Sequence, residues 1–360
     1  MGKPSFIGRS AELQQIKDLW KKACEGRPQV VNLVADTGVG KTRLVQAFYE
    51  WLSIYPEHSD GICSQNYWPN DLGVGRQRVV NPPLERFASF DLNNDRIPWL
   101  WWGMYWTDAD GENECGLVRF HDYIDVHLSM LELQRNAFSK SLADVRDTVR
   151  NEAFGFVAGL IPGGSQARSV FDLAKKLQAN RKEHKEAQKG LASQDKNRQE
   201  ALAESIVERL RLVFNSKKKS SPPIPLVLFL DDIHFATDIS RDGFSLQFLD
   251  RLMRQAGREQ WPLLVLTTHW KGPWQLHRKG VNLEEGKPWR RIMLELDVEQ
   301  NIKTLDIHTL KLHNIPREEL RSVILDYLPG LNREDQDKLL ALVDNVRWLV
   351  EVLNALSDSA

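Results

Sequence analysis

The sequence has little cysteine, no long apolar run and almost no net charge, and each shortage excludes a class of protein. Its three cysteines, Cys24, Cys63 and Cys115, are widely spaced and odd in number. They form neither a CxxC pair nor a zinc framework, so a disulfide scaffold drops out and a reducing, cytoplasmic setting is expected. No stretch approaches the ~18 uninterrupted apolar residues of a membrane span. The opening Met1-Gly2-Lys3-Pro4-Ser5 lacks the apolar centre of a signal peptide, so no membrane partner is expected. Lysine plus arginine number 48 and aspartate plus glutamate 49, for a formal charge of −1. That balance supplies no global basic field for nucleic acid and no acidic excess of the kind that favours disorder.

What remains is ordinary globular material with one local peculiarity. Hydrophobic residues make up 42% and charged residues 27% of 360, enough for a large core and two or three units. There are twelve tryptophans, and four of them crowd between Pro98 and Trp106.

The stretch that organises the chain is Val30 to Thr42, V-V-N-L-V-A-D-T-G-V-G-K-T. Val30, Val31, Leu33 and Val34 read as a buried parallel strand, which breaks into a glycine turn. The run K-T-R-L-V-Q-A-F-Y-E-W-L follows, with Leu44, Val45, Phe48 and Leu52 at helical spacing. A strand, a glycine turn and a helix N-terminus form an anion-binding device, because unpaired N–H groups and the helix dipole both favour a phosphate there. Thr37, Gly38, Val39, Gly40, Lys41, Thr42 and Arg43 are the expected phosphate cradle of a P-loop. In it Lys41 meets the β- and γ-phosphates and the Thr42 hydroxyl serves Mg²⁺. The pattern's first glycine is Ala35, whose methyl group is tolerated provided its φ is negative. The bland alternative is a chance G-x-G-K-T in an ordinary loop; the flanking strand and helix argue against it.

A second decisive stretch is Ile224 to His234, I-P-L-V-L-F-L-D-D-I-H. A near-continuous apolar run marks a strand buried on both faces, and α/β sheets place their ligands at the C-terminal ends of such strands. This reads as a Walker B segment. Asp231 would hold Mg²⁺, and Asp232 would polarise the water that attacks the γ-phosphate. Capping of a following helix is the plainer use for two aspartates. Pro262 to Thr268 reads as a further buried strand ending in hydroxyls.

Taken in order, F-I-G-R-S-A-E-L at Phe6–Leu13, G-V-G-K-T, L-D-D-I-H-F-A-T-D and the Thr268 strand resemble the STAND and origin-recognition-like ATPases of the AAA+ superclass. The resemblance implies that Phe6, Ile7, Gly8 and Arg9 lie beside adenine and ribose. It also implies that Thr268 senses the γ-phosphate, and that a small helical lid covers the site. In the lid, Asp344-Asn345-Val346-Arg347-Trp348-Leu349 lies where the family has G-N-P-x-x-L. Asn345 matches as a nucleotide contact, while Val346 replaces the proline that couples lid position to nucleotide state. His269 and Trp270 stand where many relatives carry an arginine. The chain ends directly after the lid, without the winged helix or repeat sensor of relatives, as a fragment or an unusually short protein would.

The other segments have plain readings. Ser10 is the expected N-cap of the helix over 12–24. Trp99, Trp101, Trp102 and Trp106 read as a core strand within 97–106, against the alternative of bases stacked on a single strand of nucleic acid. His121, Asp125 and His127 lack metal spacing. Residues 117–134 and 137–161 read as helices, and the lysine-rich stretch Lys175–Lys189 as a solvated helix face. Residues 201–214 should pack on the sheet.

The expected architecture is α/β: a three-layer αβα P-loop core with a parallel sheet, a helical insertion and a C-terminal helical lid. Residues 1–60 and 215–295 form the core, 61–214 an insertion that partly completes it, and 296–360 the lid. The expected function is binding of ATP or ADP with Mg²⁺ and slow hydrolysis used as a switch. Lys41, Asp232 and Thr268 would act on the phosphate, and Thr42 and Asp231 on the metal. Self-association on ATP binding is expected, with an unidentified signalling or effector partner. A DNA-handling ATPase and a non-hydrolysing nucleotide-bound scaffold are the rival readings, and nucleic acid is the less favoured partner.

Overall fold

The computed structural model describes residues 6–54, 99–105, 120, 124, 196–214, 224–233, 246–272, 305–343 and 345–358. The readings made for Cys63, Cys115, His121, Asp125, His127, residues 137–161 and Lys175–Lys189 fall outside them. The described elements are, in order, α1 (Ser10–Cys24), β1 (Gln29–Ala35), α2 (Lys41–Ile54), β2 (Leu100–Tyr105), α3 (Lys196–Phe214) and β3 (Leu226–Asp231). Then come α4 (Leu246–Glu259), β4 (Leu263–Trp270), β5 (Asp306–Lys311), α5 (Arg317–Tyr327), α6 (Arg333–Leu342) and α7 (Val346–Asp358).

All five strands run parallel in the order β2-β3-β4-β1-β5. The P-loop strand β1 and the acid-bearing strand β3 are therefore not neighbours; β4 lies between them. Strands β1 and β3 are buried along their whole length, as their apolar runs require when helices cover both faces.

Consecutive residues of a strand point to opposite faces, and the tryptophan strand shows both sides of the sandwich. Trp101 meets Tyr49 of α2 edge-on at 4.8 Å between ring centroids and lies 6.3 Å from Phe229. Trp102 meets Phe120 at 5.1 Å, and Phe120 in turn lies 6.3 Å from Phe248 of α4. The layers are helix, sheet, helix. Trp99, Trp101 and Trp102 are all buried, so they are core and offer bases no stacking platform. In α3, Ile206, Leu210 and Phe214 are buried in the same core, with Phe214 against Trp261 at 5.2 Å.

A second, smaller apolar cluster joins α5, α6 and α7 through Leu320, Val323, Ile324, Leu340, Val343, Leu349 and Leu353. These three helices lie within the span read as the lid. Most of Ile307 to Leu312, read as part of the lid, instead belongs to the strand β5 (Asp306–Lys311), paired with β1 from Gln29↔Asp306 to Val34↔Lys311. The physical reason is its position at the sheet edge. Leu310 is buried and Asp306, Thr309 and Lys311 are exposed, so the segment lacks the apolar continuity that marks β1 and β3.

Ser10 does not cap α1. It is the first helical residue, and Arg9 holds the cap position with no side-chain bond to the helix N–H groups. The guanidinium of Arg9 is engaged elsewhere, as described below.

Trp101→Ala should lower the unfolding free energy by about 3–5 kcal/mol, the usual cost of truncating a buried large aromatic. Denaturant unfolding followed by circular dichroism measures it. A loss below about 1 kcal/mol, typical of surface positions, would contradict burial of the indole between α2 and the sheet.

Candidate functional site

The loop between β1 and α2 takes its shape from two glycines with positive φ, Gly38 at 82° and Gly40 at 96°. Only glycine adopts such angles without strain. Ala35 closes β1 with ordinary strand geometry, since Asp232 and Gln260 are the only described non-glycine residues with positive φ. A methyl group at the first glycine position of the pattern is thus harmless. Lys41 is buried and its ammonium donates to the carbonyls of Ala35 at 3.1 Å and Asp36 at 3.0 Å, so it lies folded back over the loop. Burial pushes its pKa down, and Asp232, Asp231 and Asp36 pull it back up.

Asp231 ends β3 and is buried. The Thr42 hydroxyl, 189 positions away in sequence, donates to it at 3.0 Å. Thr268 on the intervening strand donates to it at 2.5 Å and also accepts the Asp232 backbone N–H at 2.7 Å. Burial raises the Asp231 carboxyl pKa, against the opposing pull of the Thr268 and Thr42 hydroxyls and the Lys41 cation. Asp232 turns out of the strand with φ 52°, a left-handed conformation that Asp tolerates better than most residues. Burial first, and then repulsion from Asp231, pushes its pKa up to about 7.

A carboxylate and a hydroxyl brought together in this way suit a hard divalent cation that takes oxygen ligands. Asp231 and Thr42 would hold Mg²⁺, and when bound it supplies positive charge to neutralise phosphate oxygens.

These groups stand at one end of a cleft of about 480 Å³, a size that suits a small-molecule ligand. Of the residues singled out in the sequence, Phe6, Ile7, Arg9, Thr37, Gly38, Val39, Gly40, Lys41, Thr42, Arg43 and Asp232 line it. Arg43 lies over the Phe6 ring at 5.5 Å. Arg9 donates to the Val39 carbonyl at 3.3 Å, donates to the His313 carbonyl and pairs with Glu12 at 3.0 Å. It therefore ties the loop, the segment after β5 and α1 together.

Four of the expected contacts lie off the cleft wall: Asp231, buried behind Thr42, and Thr268, Gly8 and Asn345. Thr268 is fully buried, and its hydroxyl bonds the Asp231 carboxyl and the Asp232 N–H. Gly8, with φ 65°, packs where a Cβ would sit 2.7 Å from Ile315 and 2.9 Å from Glu319. Asn345 caps α7 by accepting the Trp348 N–H at 3.1 Å, and its side chain presses on Gly38, leaving no room there for a Cβ.

Sequence reasoning missed part of the wall. Ile315, Val323, Val346, Arg347, Val350 and Glu351 close the lid side, and Trp270 stands beside Asp232. The Arg347 N–H donates to the Gly38 carbonyl at 3.3 Å, so the α7 N-terminus rests on the P-loop itself. Val350 and Glu351 follow Arg347 by one helical turn, a periodicity that could have marked them.

Residues 5–68 match the family model described as AAA ATPase domain. The match spans α1, β1, the P-loop and α2, and it supports a nucleotide-binding P-loop ATPase of AAA+ type, a family that typically binds nucleotide with Mg²⁺. No curated protein matches the chain. Among the described residues no helix is long and apolar enough to cross a membrane, and no group of three or more His, Cys, Asp or Glu is placed to hold a metal.

The raised pKa of Asp232 gives stability a pH dependence. The folded state favours the protonated acid, so the cost of ionising it is absent below the ordinary value of 3.8 and complete above about 7. Asp232→Asn should therefore raise the Tm of the protein in chelator without nucleotide, and more so at about pH 8 than at about pH 5. The scale is roughly 2–4 °C per kcal/mol recovered. Equal shifts at the two pH values would show that Asp232 is ionised freely.

Proposed function

We propose that the chain is a regulatory ATPase switch of the STAND type, which binds ATP and Mg²⁺ and hydrolyses slowly under control of self-association. The observation that carries this reading is the bond from Thr42, which lines the cleft with Asp232 and with Val346 and Val350 of α7, to the buried Asp231 behind it.

The roles follow from position. The α2 N-terminus and the loop amides receive the β- and γ-phosphates, with Lys41 leaving its two carbonyl partners to meet them. Asp232, poised near neutrality and next to Lys41, takes part of the charge of an attacking water and orients it. The base and ribose would sit between Phe6 and Ile7 on one side and Val323, Val346 and Val350 on the other. A ligand that fills this space touches core and lid at once. ATP and ADP differ by one charged phosphate at the P-loop, on which α7 rests, so each can favour a different lid position by that difference in affinity.

Isolated sites of this kind hydrolyse slowly, because the charge of the transition state lacks a stabilising arginine. One supplied by a neighbouring subunit is worth roughly 10³–10⁵ in rate in related phosphoryl transfers. Turnover that rises with protein concentration is the corresponding signature. The signalling or effector partner, and a cytoplasmic setting, belong to the same reading by analogy with the family.

Two substitutions test it. Lys41→Ala should abolish binding of ATP, read by isothermal titration. Asp232→Asn should keep ATP bound and remove phosphate release. Hydrolysis that survives Asp232→Asn would sink the role given to that acid. Bound nucleotide with no phosphate release at any protein concentration would instead make the chain a non-hydrolysing scaffold.

A further inference from the structure

One side chain at the acid end of the cleft is accounted for by none of the phosphate-binding motifs. Trp270 is the last residue of β4 and is paired with Ala35, the last residue of β1, so it stands where the sheet gives way to the P-loop. It is half-buried and lines the cleft with Asp232, Lys41 and Thr37. The next residue, Lys271, reaches Asp36 of the loop at 3.7 Å and ties down this corner.

The indole has a single polar atom, the Nε1–H, and it can only donate. The Trp270 side chain is hydrogen-bonded to the Asp232 carboxylate. Asp232 has Thr268 as a further side-chain hydrogen-bond partner. Its backbone is in the left-handed region, and its neighbour Asp231 carries the same charge. Its backbone N–H is already held by Thr268, two positions before Trp270 on the same strand. Strand β4 thus holds Asp232 through both Thr268 and Trp270, at the main chain and at the carboxyl.

We propose that Trp270 is a positioning residue for the hydrolytic step, whose indole N–H fixes the direction in which the Asp232 carboxylate faces the attacking water. The inference rests on the role given to Asp232 above. A neutral donor suits that task, because it orients the carboxylate without forming an ion pair that would compete for its charge.

Trp270→Phe removes the N–H and keeps most of the ring. ATP affinity and KM should stay within about twofold, and kcat should fall at least ~10-fold, within the ~10²-fold that a misplaced catalytic group costs. Trp270→His, which restores a ring N–H donor, should recover part of that loss. A second measurement is independent of turnover. In a proton–nitrogen correlation spectrum of protein labelled at the indole nitrogens, the resonance missing from Trp270→Phe or Trp270→His identifies Trp270. That resonance should move upfield in Asp232→Ala, which removes the acceptor.

Unchanged kcat in Trp270→Phe, in an assay where Asp232→Asn is inactive, overturns the inference and leaves the Asp232 reading standing. Activity in Asp232→Asn overturns both. A loss confined to ATP affinity would make Trp270 a wall of the binding site and overturns the positioning role. An indole resonance that does not respond to Asp232→Ala overturns it as well, including where turnover is too slow to measure or Trp270→Phe fails to fold.

Discussion

A carboxylate buried at the tip of β3 sets the terms for everything around it. Asp231 cannot be left in the interior without partners, since an unpaired buried charge costs several kcal/mol. Its partners come from two other elements, Thr42 at the start of α2 and Thr268 on β4, with the Lys41 cation close behind. This requirement makes the strand order meaningful. With β4 between β1 and β3, a hydroxyl on β4 is adjacent to both the loop and the acid. The arrangement holds the loop and the acid-bearing strand together through Thr42 and Thr268.

Alternation along β4 doubles the use of that strand. Thr268 faces the acids. Thr267, pointing to the other side of the sheet, donates to Asn32 of β1 at 2.8 Å and lies 2.9 Å from the His269 ring. Two consecutive threonines therefore satisfy buried polar groups on opposite faces of a strand that is otherwise apolar. Both hydroxyls are paired, as a buried hydroxyl without a partner is costly.

The lid is linked to the core by few, well-defined contacts. Phe6 packs against the large core and Ile7 against the lid cluster, so one dipeptide reaches both apolar centres. Arg9 fastens the same segment to the P-loop and to the chain leaving β5. On the far side, Asn345 and Arg347 of the lid press on Gly38, the residue at the top of the loop. These contacts set the α7 N-terminus directly on the loop, which is where the proposed coupling of lid and nucleotide would act, shared equally by both places.

Much of this was legible from residue order alone, and for local reasons. The glycine turn, the buried apolar runs of β1, β3 and β4 and the aspartate pair are short-range patterns, because backbone conformation and two-sided burial leave direct traces in sequence. The tryptophan strand was readable for the same reason. What escaped were matters of distance. Strand β5 lies half-exposed at a sheet edge, so its mixed pattern D-I-H-T-L-K carries little strand signal, and only its pairing with β1 identifies it. The sequence did not show that the Thr268 hydroxyl bonds Asp231, a contact between neighbouring strands. Asn345 became a helix cap pressed on Gly38 for a similar reason, and Trp270 gained a role through the neighbouring turn of β3. Periodicity and composition determined which elements exist and which end of the sheet carries the chemistry. Packing across 189 positions of chain decided which hydroxyl meets which acid, because hydrogen bonds depend on ångströms that no spacing in sequence records.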